Sequence, residues 1–478
     1  MQGNGPVPAP DQRAGGVSMG QVQRIARSRG LSWALDGLWL LALALYIFAG
    51  LDAVPFHGDE ATLLFMSHDY YHLVQQRDFE RVYYTDTPLD PSEQELRILN
   101  GTVPKMAMGL AWDLAGLTVH DLNDQWMWGF FDPQGEWDEW TWNHAFGHVP
   151  SDELLRAGRA SSAVLLVLSA AALLAITRWI VPARWATWLA TGLYVTHPGV
   201  LLNGRRSMME GAMLLGMTLA ILTALGLLRT QARPESSNRA RWAWAAALGV
   251  AAGFALACKH TTLITVAIVF GVALVEPLVR RGSAGARFDA AHLARLVVAG
   301  ALAIGVFLAL NPAWWPDPLN MPERVLDART RLIEGQRVGY GGYNTWGERV
   351  RGLVDQAFFA GNQYYEVAVW QEWIGDQIEA YEAKGLLIGR PTGLVWGGLV
   401  AVAFACGLVA LARRWYQESP ALVALAWPLL TALALLIATP FEWQRYYLPL
   451  QPGIAVVAAA GVAWVVERIG ERATDAAD

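Results

Sequence analysis

Long blocks of apolar residues alternate along this chain with shorter polar segments. Each block is close in length to the stretch of about 20 residues that a helix needs to cross the hydrocarbon core of a bilayer. The apolar residues fill these blocks instead of forming the one-sided stripe of a soluble amphipathic helix. The pattern predicts ten transmembrane helices, at residues 33–51, 155–177, 185–202, 208–228, 242–258, 261–279, 293–311, 393–412, 420–438 and 447–466. We therefore expect an all-α polytopic membrane protein.

The composition agrees with this class. The 478 residues are 54% hydrophobic and 16% charged, whereas about a quarter of the residues in a soluble protein are charged. The 23 Trp residues also fit, since indole rings favour the membrane–water interface. Two cysteines, Cys258 and Cys406, are too few for a disulfide framework or a thiolate metal site. Membrane lipids are expected partners, and nucleic acid is not.

Arginine-rich connections predict the orientation of the chain. They lie at residues 24–29, 178–184, 229–241, 280–287, 413–414 and 468–472, all on one side if residues 106–119 do not cross the membrane. The positive-inside rule makes this side cytoplasmic and places both termini there. Residues 106–119 are then a juxtamembrane helix in the outer interface. Residues 1–32, rich in Gly, Pro, Gln and Arg, predict a disordered cytoplasmic tail.

Two long segments face outward in this topology. Residues 52–153 carry 19 Asp and Glu against 4 Lys and Arg, and they contain Trp clusters that either anchor the interface or stack on sugars. Residues 312–390 form a second outer loop, and loops of such length are usually functional. The predicted organisation is a catalytic transmembrane bundle, 33–311, that includes the first loop. The second outer loop follows this bundle. Residues 391–478 then form the last helices and a short cytoplasmic tail.

Two adjacent carboxylates, Asp59 and Glu60, directly follow the first span. One interpretation makes Asp59 a catalytic base at the membrane surface, with Glu60 beside it in substrate binding. The alternative is structural, because acidic residues also stabilise a helix N-terminus.

Basic residues occur in four connections on the predicted outer side, at Lys105, Arg205 with Arg206, Lys259 with His260, and Arg445. Cations at this depth are costly unless an anion meets them. They either pair with Glu210, Glu442 or lipid headgroups, or bind an anionic substrate. A carboxylate base with several cations suits transfer of a sugar to a hydroxyl, with a phosphate as the leaving group.

Five motifs carry a resemblance to a known family. They are Phe56-His57-Gly58-Asp59-Glu60, the stretch from Thr102 to Leu110, Arg205 with Glu210, Lys259-His260-Thr261-Thr262, and Arg445-Tyr446-Tyr447-Leu448-Pro449. Their order resembles that in polyprenyl-phosphate-dependent glycosyltransferases of the C-type membrane fold, which include protein O-mannosyltransferases and lipid A aminoarabinose transferases. The resemblance covers most of residues 33–466. Two positions depart from the family: Glu210 replaces the usual Asp, and Val103-Pro104 replaces Pro-Pro.

The resemblance implies an inverting hexosyltransferase that uses a polyprenyl-phosphate-linked sugar. The acceptor would be a hydroxyl of a protein, lipid or glycan, as in protein glycosylation or cell-envelope synthesis. Asp59 would be the general base, with Glu60 beside it; the donor phosphate would be bound by Arg205, Arg206, Lys259, His260 and Arg445, with Lys105 and Glu210 in support. The site would face outward from the plasma membrane, and the Arg- and Ala-rich, Lys-poor composition suggests a bacterium. These charged residues are expected to share one cavity.

Three other interpretations remain open. His68 with His72, and His144 with His148, have the spacing of a metal site on one helical face; we favour local hydrogen bonding and expect no metal or other cofactor. A transporter or flippase of lipid-linked sugars would bury ionisable groups within its spans and often show repeated halves, neither of which is evident. A non-catalytic scaffold would account for the long loops. Transfer that requires Asp59 would distinguish the enzyme from both.

Overall fold

The computed structural model describes residues 19–279 and 290–475, with side chains from residue 30 onward. Helix α1, Met19–Ala49, contains the first predicted span. Residues 19–32 were predicted as part of a disordered tail and are instead helical, because Gln, Arg and Ala favour helix; residues 1–18 lie outside the described residues. Two units are distinguished: residues up to Ala42, with most of α1, and residues from Leu43 onward, with the other helices.

The first outer loop contains short helices. They are α2 Gly58–Met66, α3 His68–Tyr70, α4 Pro91–Leu99, α5 Thr102–Leu114 and α6 Glu139–Ala145, with a π-turn at Tyr71–Gln76 and 3₁₀ turns at Glu80–Val82 and Val119–Asp121. Helix α5 corresponds to the predicted juxtamembrane helix. Its 13 residues are fewer than the about 20 that cross a bilayer. The predicted juxtamembrane helices of this loop are thus present as short helices.

The central bundle follows. Its helices are α7 Asp152–Ile180, α8 Arg184–Val195, α9 Pro198–Arg205, α10 Glu210–Ala232, α11 Asn238–Cys258, α12 Leu263–Val279 and α13 Ala290–Leu310, with a 3₁₀ turn at His260–Thr262 before α12. The second outer loop holds α14 Met321–Tyr340, α15 Trp346–Val354 and α16 Trp370–Glu382, with 3₁₀ turns at Pro312–Trp314 and Gly385–Ile388 and a π-turn at Asp355–Phe359. The last helices are α17 Leu394–Ala412, α18 Ser419–Ala438, α19 Gln444–Tyr447 and α20 Gln451–Asp475, with a 3₁₀ turn at Leu448–Leu450 between α19 and α20.

Nine helices within the described ranges are long and apolar enough to cross a membrane, and these ranges contain no β-strand. The all-α polytopic fold is confirmed. The difference from ten is the predicted span 185–202, which is divided into α8 and α9. Pro198 restricts the preceding residue to extended backbone, and His197 has φ −63° and ψ 125°. The side chain of His197 then accepts from Val200 N and caps the second helix.

Close packing of glycines joins α17 to α20. A Cβ atom added at Gly407 would lie 1.9 Å from Val457 O, and one added at Gly461 would lie 1.9 Å from Ala403 O. Small residues allow such approach of two membrane helices. The contact fixes α20, whose N-terminal side follows α19 at the candidate site.

An aromatic cluster joins the two outer loops. Trp126 is fully buried, and its ring lies 5.5 Å from that of Trp370 on α16. Phe56 and Trp140 pack against the same pair. Interfacial anchoring therefore does not account for Trp126, which packs inside the protein. The cluster holds the segment before α2 against the second outer loop.

Candidate active site

The segment before α2 is fixed by its own capping. His57 lies at the N-cap in extended conformation, φ −138° and ψ 136°. Its Nδ1 accepts from Asp59 N at 3.1 Å, and Glu60 accepts from His57 N at 3.2 Å. Because Nδ1 is an acceptor, Nε2 carries the proton and donates to Glu366 at 2.7 Å. The imidazole also stacks on Trp370, with ring centroids 5.6 Å apart.

Glu60 lies in a buried ion pair. Arg159 of α7 donates from Nε and Nη2 to its two oxygens at 2.8 and 2.9 Å, and Ser207 N donates to it at 2.8 Å. Burial alone would raise the pKa of Glu60, but the Arg159 charge outweighs it and the pKa lies below its usual value. Both oxygens are occupied by protein donors. These contacts join α2 to α7 through Glu60, and its predicted role in substrate binding stays a prediction.

Asp59 faces a different environment. Its side chain is 26% exposed and forms an ion pair with Arg445. Burial raises the pKa of Asp59, but the positive charge of Arg445 outweighs this effect, and the net pKa lies below the ordinary value for aspartate. Arg445 Nε also lies 3.2 Å from Glu366 Oε1. Polar contacts thus run from Asp59 to Arg445, then to Glu366 and His57. The ionised carboxylate of Asp59 lies at one end of this series.

A cavity of about 610 Å³ opens beside Asp59, within the size range of small-molecule sites. Asp59, Glu210, Lys259 and Arg445 line it, from three parts of the bundle and the first outer loop. Lys259 Nζ donates to Glu210 Oε1 at 2.6 Å. The longer side chain of Glu210, compared with the Asp usual in the family, supports this contact. The expected convergence holds for these four residues.

Arg205 and Arg206 are located elsewhere. Arg205 is fully buried, and its guanidinium donates to Ile47 O at 2.8 Å and Tyr46 O at 2.7 Å, in the last turn of α1. Arg206 donates to Tyr364 O at 2.7 Å. Carbonyls at a helix end need such donors. Both guanidinium groups are engaged by backbone carbonyls, and neither residue lines the cavity. Their predicted role on the donor phosphate stays a prediction.

Lys105 belongs to a separate buried network. Its Nζ donates to Asp69 at 3.2 Å, and Arg97 donates to the same carboxylate at 2.8 Å. Arg97 also pairs with Glu93, which accepts from His68 Nε2 at 3.1 Å. Burial raises the pKa of Glu93, but the His68 hydrogen bond and the Arg97 charge lower it to about 2. Lys105 and Arg97, together with Arg81 at the edge of the network, compensate the two carboxylates, so Lys105 supports the packing of α3, α4 and α5.

The same network contains a group of side chains in the first outer loop that could bind a metal ion. His68, Asp69 and Glu93 offer atoms within 4.8 Å of one another, and the Arg97 guanidinium already binds both carboxylates. His72 instead contacts Gln76 at 3.2 Å. In the other pair, His144 Nδ1 lies 2.9 Å from Trp140 O and His148 Nδ1 lies 2.5 Å from Gln125 O. The carboxylates are thus engaged by a guanidinium, and the histidines of both pairs form local hydrogen bonds.

His260 is half-buried and begins the 3₁₀ turn after Lys259. Of these two neighbours, Lys259 lines the cavity. The lining residues without a role predicted from the sequence include His57, Glu366 and Arg329. His57 lies within a recognised motif, but Glu366 and Arg329 come from the second outer loop, where their sequence context resembles that of many surface charges.

Comparisons with known proteins found one family match. Residues 123–313 match the family described as dolichyl-phosphate-mannose-protein mannosyltransferase. No curated protein sequence matches the chain.

Several solved structures are similar. ArnT from Cupriavidus metallidurans in the apo state has 16% identity and a TM-score of 0.47, over 94% of this chain and 64% of that one. The S. cerevisiae Pmt1-Pmt2 complex bound to the sugar donor has 14% identity and a TM-score of 0.40, over 60% and 34%. The apo oligosaccharyltransferase of Archaeoglobus fulgidus has 14% identity and a TM-score of 0.50, over 93% and 52%.

The oligosaccharyltransferase likeness shows a shared fold. The chain spans 64% of the length of ArnT and about half that of the oligosaccharyltransferase. With the family match over residues 123–313, these findings confirm the predicted resemblance to the polyprenyl-phosphate-dependent glycosyltransferases of the C-type membrane fold.

Proposed function

We propose that this protein transfers a sugar from a polyprenyl phosphate to a hydroxyl acceptor at the outer face of the membrane, with inversion at the anomeric carbon. The observation that carries the proposal is one cavity lined by an ionised carboxylate, Asp59, and by two cations, Lys259 and Arg445. The matching family is named for a mannose donor linked to dolichyl phosphate, which supports a lipid-phosphate donor here.

The cations bind the donor phosphate. Lys259 and Arg445 approach the cavity from the end of α11 and from α19. Charge develops on the phosphate oxygen as its bond to the sugar breaks, and fixed cations stabilise that charge before it forms. The polyprenyl chain extends between the apolar helices. A volume of about 610 Å³ accommodates the sugar phosphate.

Asp59 activates the acceptor. One carboxylate oxygen accepts the proton of the acceptor hydroxyl as the hydroxyl oxygen attacks the anomeric carbon. The bond from that carbon to the phosphate oxygen breaks, and the bonding electrons leave with the phosphate. Attack from the side opposite the phosphate inverts the configuration. The low pKa of Asp59 keeps the carboxylate ionised at neutral pH, as a general base must be.

The side chains supply the charge that this reaction needs, and we assign no metal to it. One group of side chains, His68 with Asp69 and Glu93, offers atoms that could bind a metal ion. The negative charge of its carboxylates is compensated by Arg97 and Lys105. Treatment with a chelator is therefore expected to leave transfer unchanged.

The active site faces outward and both termini are cytoplasmic in this proposal, as the arginine-rich connections indicate.

Substitution of Asp59 tests the function. Purified protein in lipid nanodiscs is incubated with synthetic polyprenyl phosphates that carry different radiolabelled hexoses, and surface glycans of a deletion strain expressing each variant are analysed by mass spectrometry. Asp59→Asn is expected to reduce transfer by about 10²–10⁴-fold. Asp52→Asn is the matched control, because Asp52 is exposed and pairs only with the exposed Arg156 in the described part of the chain. Equal transfer by wild type and Asp59→Asn would refute the proposal.

A further inference from the structure

Helix α14 of the second outer loop forms a wall of the cavity. Arg329, Leu332, Gln336 and Gly339 line it, and their spacing of three or four residues places them on one helical face. Val338, on another face, is 90% exposed. One side of α14 therefore faces the proposed donor site.

Both ends of this wall are fixed to the protein. Ala328 and Met321 are buried in a cluster with Ile98 of α4. Beyond the other end, Tyr343 N donates to Pro440 O at 2.9 Å, near α19. The face of α14 that lines the cavity is held in position by these contacts.

Arg329 differs from the other cations of the cavity. Lys259 pairs with Glu210, Arg445 with Asp59 and Glu366, and Arg331 with Glu95. Within residues 19–279 and 290–475, no carboxylate lies within ion-pair distance of Arg329. Its guanidinium interacts electrostatically with His260 and Tyr446, the neighbours of Lys259 and Arg445. An uncompensated positive charge thus lines the same cavity as the two proposed phosphate ligands, Lys259 and Arg445.

Two glycines keep the same wall open. Gly335 and Gly339 line the cavity inside α14, and an added Cβ at either position would meet nothing within 4 Å. A glycine in a helix interior costs about 1 kcal/mol relative to alanine. Packing against protein does not explain these glycines. Their effect is to leave room on the cavity side of α14, about 9 and 15 Å along the helix axis from Arg329.

We propose that Arg329 binds the phosphate of the polyprenyl-linked donor, and that Gly335 and Gly339 make room for the group attached to that phosphate. This inference rests on the proposed function and deepens it. The second outer loop then contributes directly to the donor site. Because its charge has no carboxylate partner, Arg329 can bind an incoming phosphate without first breaking an ion pair.

Binding of polyprenyl phosphate without a sugar tests the first part, because it needs no turnover. Arg329→Gln is expected to weaken binding by about tenfold to a hundredfold, the value of a hydrogen bond to a charged group. Arg329→Lys is expected to restore part of the loss. Arg337→Gln is the matched control: Arg337 is an exposed arginine on the same helix, and its loss should leave affinity unchanged. Uncharged polyprenol should bind equally to wild type and Arg329→Gln.

Outcomes of this test are separate from those of the Asp59 experiment. If Arg329→Gln folds, as judged by its melting temperature, and binds polyprenyl phosphate as well as wild type, the inference is overturned while the glycosyltransferase function stands. An equal loss for uncharged polyprenol would also overturn it, because the effect would then not depend on the phosphate. If Asp59→Asn transfers sugar normally, the function itself fails.

Substitution of Gly335 tests the second part. Gly335→Leu should reduce affinity for the sugar-linked donor at least tenfold, because the larger side chain fills the space beside α14. Gly271→Leu is the matched control and should preserve donor binding, because Gly271 also faces open space but lies in α12, outside the cavity lining. Unchanged donor affinity in Gly335→Leu would show that this wall does not face the donor.

Discussion

Asp59 and Glu60 are neighbours in α2, and their side chains leave the helix about 100° apart, as 3.6 residues per turn require. One carboxylate faces the cavity with Arg445, and the other enters the interior with Arg159. The sequence predicts that an acidic pair begins a helix here. It does not predict which residue faces the ligand, because that depends on where α7 packs.

The buried position of Glu60 leads to a stability prediction. Arg159→Gln leaves this carboxylate without its charged partner, which costs about 3–5 kcal/mol in a buried pair. Arg156→Gln, three residues earlier on α7, removes an exposed pair with Asp52 and should leave stability unchanged. Melting temperatures in detergent measure both effects. Equal melting temperatures for the two variants would contradict the structural role of Glu60.

The environment of Asp59 predicts a pH effect. In the wild type, Arg445 and His57 hold the pKa of Asp59 below its usual value, although burial and Glu366 raise it. Transfer needs the ionised form, so activity should fall only below about pH 4. In Arg445→Gln, burial and Glu366 remain, the pKa rises, and the acidic limb of kcat/KM should move to higher pH. The shift is measured from the pH profile of the residual activity of Arg445→Gln, normalised to its own plateau. Coincident pH profiles for wild type and variant would contradict the prediction.

Most spans were predictable because apolar residues fill them along their length. The exception shows which local signal was missed: Thr196-His197-Pro198 interrupts an apolar run, and proline excludes the preceding residue from helix. The interruption creates α9, which carries Arg205 and leads to Arg206. Their burial follows from this turn, and the hydrophobic pattern alone does not reveal it.

The packing of α17 on α20 gives an element-scale prediction. Gly407→Val would force these helices apart, because even a Cβ would lie 1.9 Å from Val457 O. Overpacking of this kind costs about 1–3 kcal/mol. Gly398→Val, on the same helix, is the control, since its added Cβ meets nothing within 4 Å. Thermal unfolding in detergent should show a lower melting temperature for Gly407→Val only. Similar values for the two variants would show that close approach is not required.

Across the whole molecule, the cavity is assembled from distant segments. Asp59 comes from the first outer loop, Lys259 from the bundle, Arg329 from the second outer loop and Arg445 from the entry to the last span. For Asp59, Lys259 and Arg445, the motifs allowed a shared cavity to be predicted from the sequence. Arg329 could not be predicted, because α14 carries several arginines and the packing of Ala328 determines which of them face the cavity.

The proposed orientation is tested by labelling intact cells with a membrane-impermeant thiol reagent. Gln134→Cys lies exposed in the first outer loop, and Glu235→Cys lies exposed between α10 and α11. The first should react in intact cells, and the second only after permeabilisation. The wild type, whose Cys258 is buried and Cys406 half-buried, provides the blank. The reverse labelling pattern would place the active site on the cytoplasmic side.

The ion pair between Arg445 and Asp59 also sets an order of events. While the guanidinium is engaged by this carboxylate, an alcohol that enters alone meets a weakly basic group and keeps its proton. Arrival of the lipid phosphate gives Arg445 a competing anion and frees Asp59 to become more basic. In the proposed reaction we therefore expect the donor to bind before the acceptor is activated, which protects the resting state against premature chemistry.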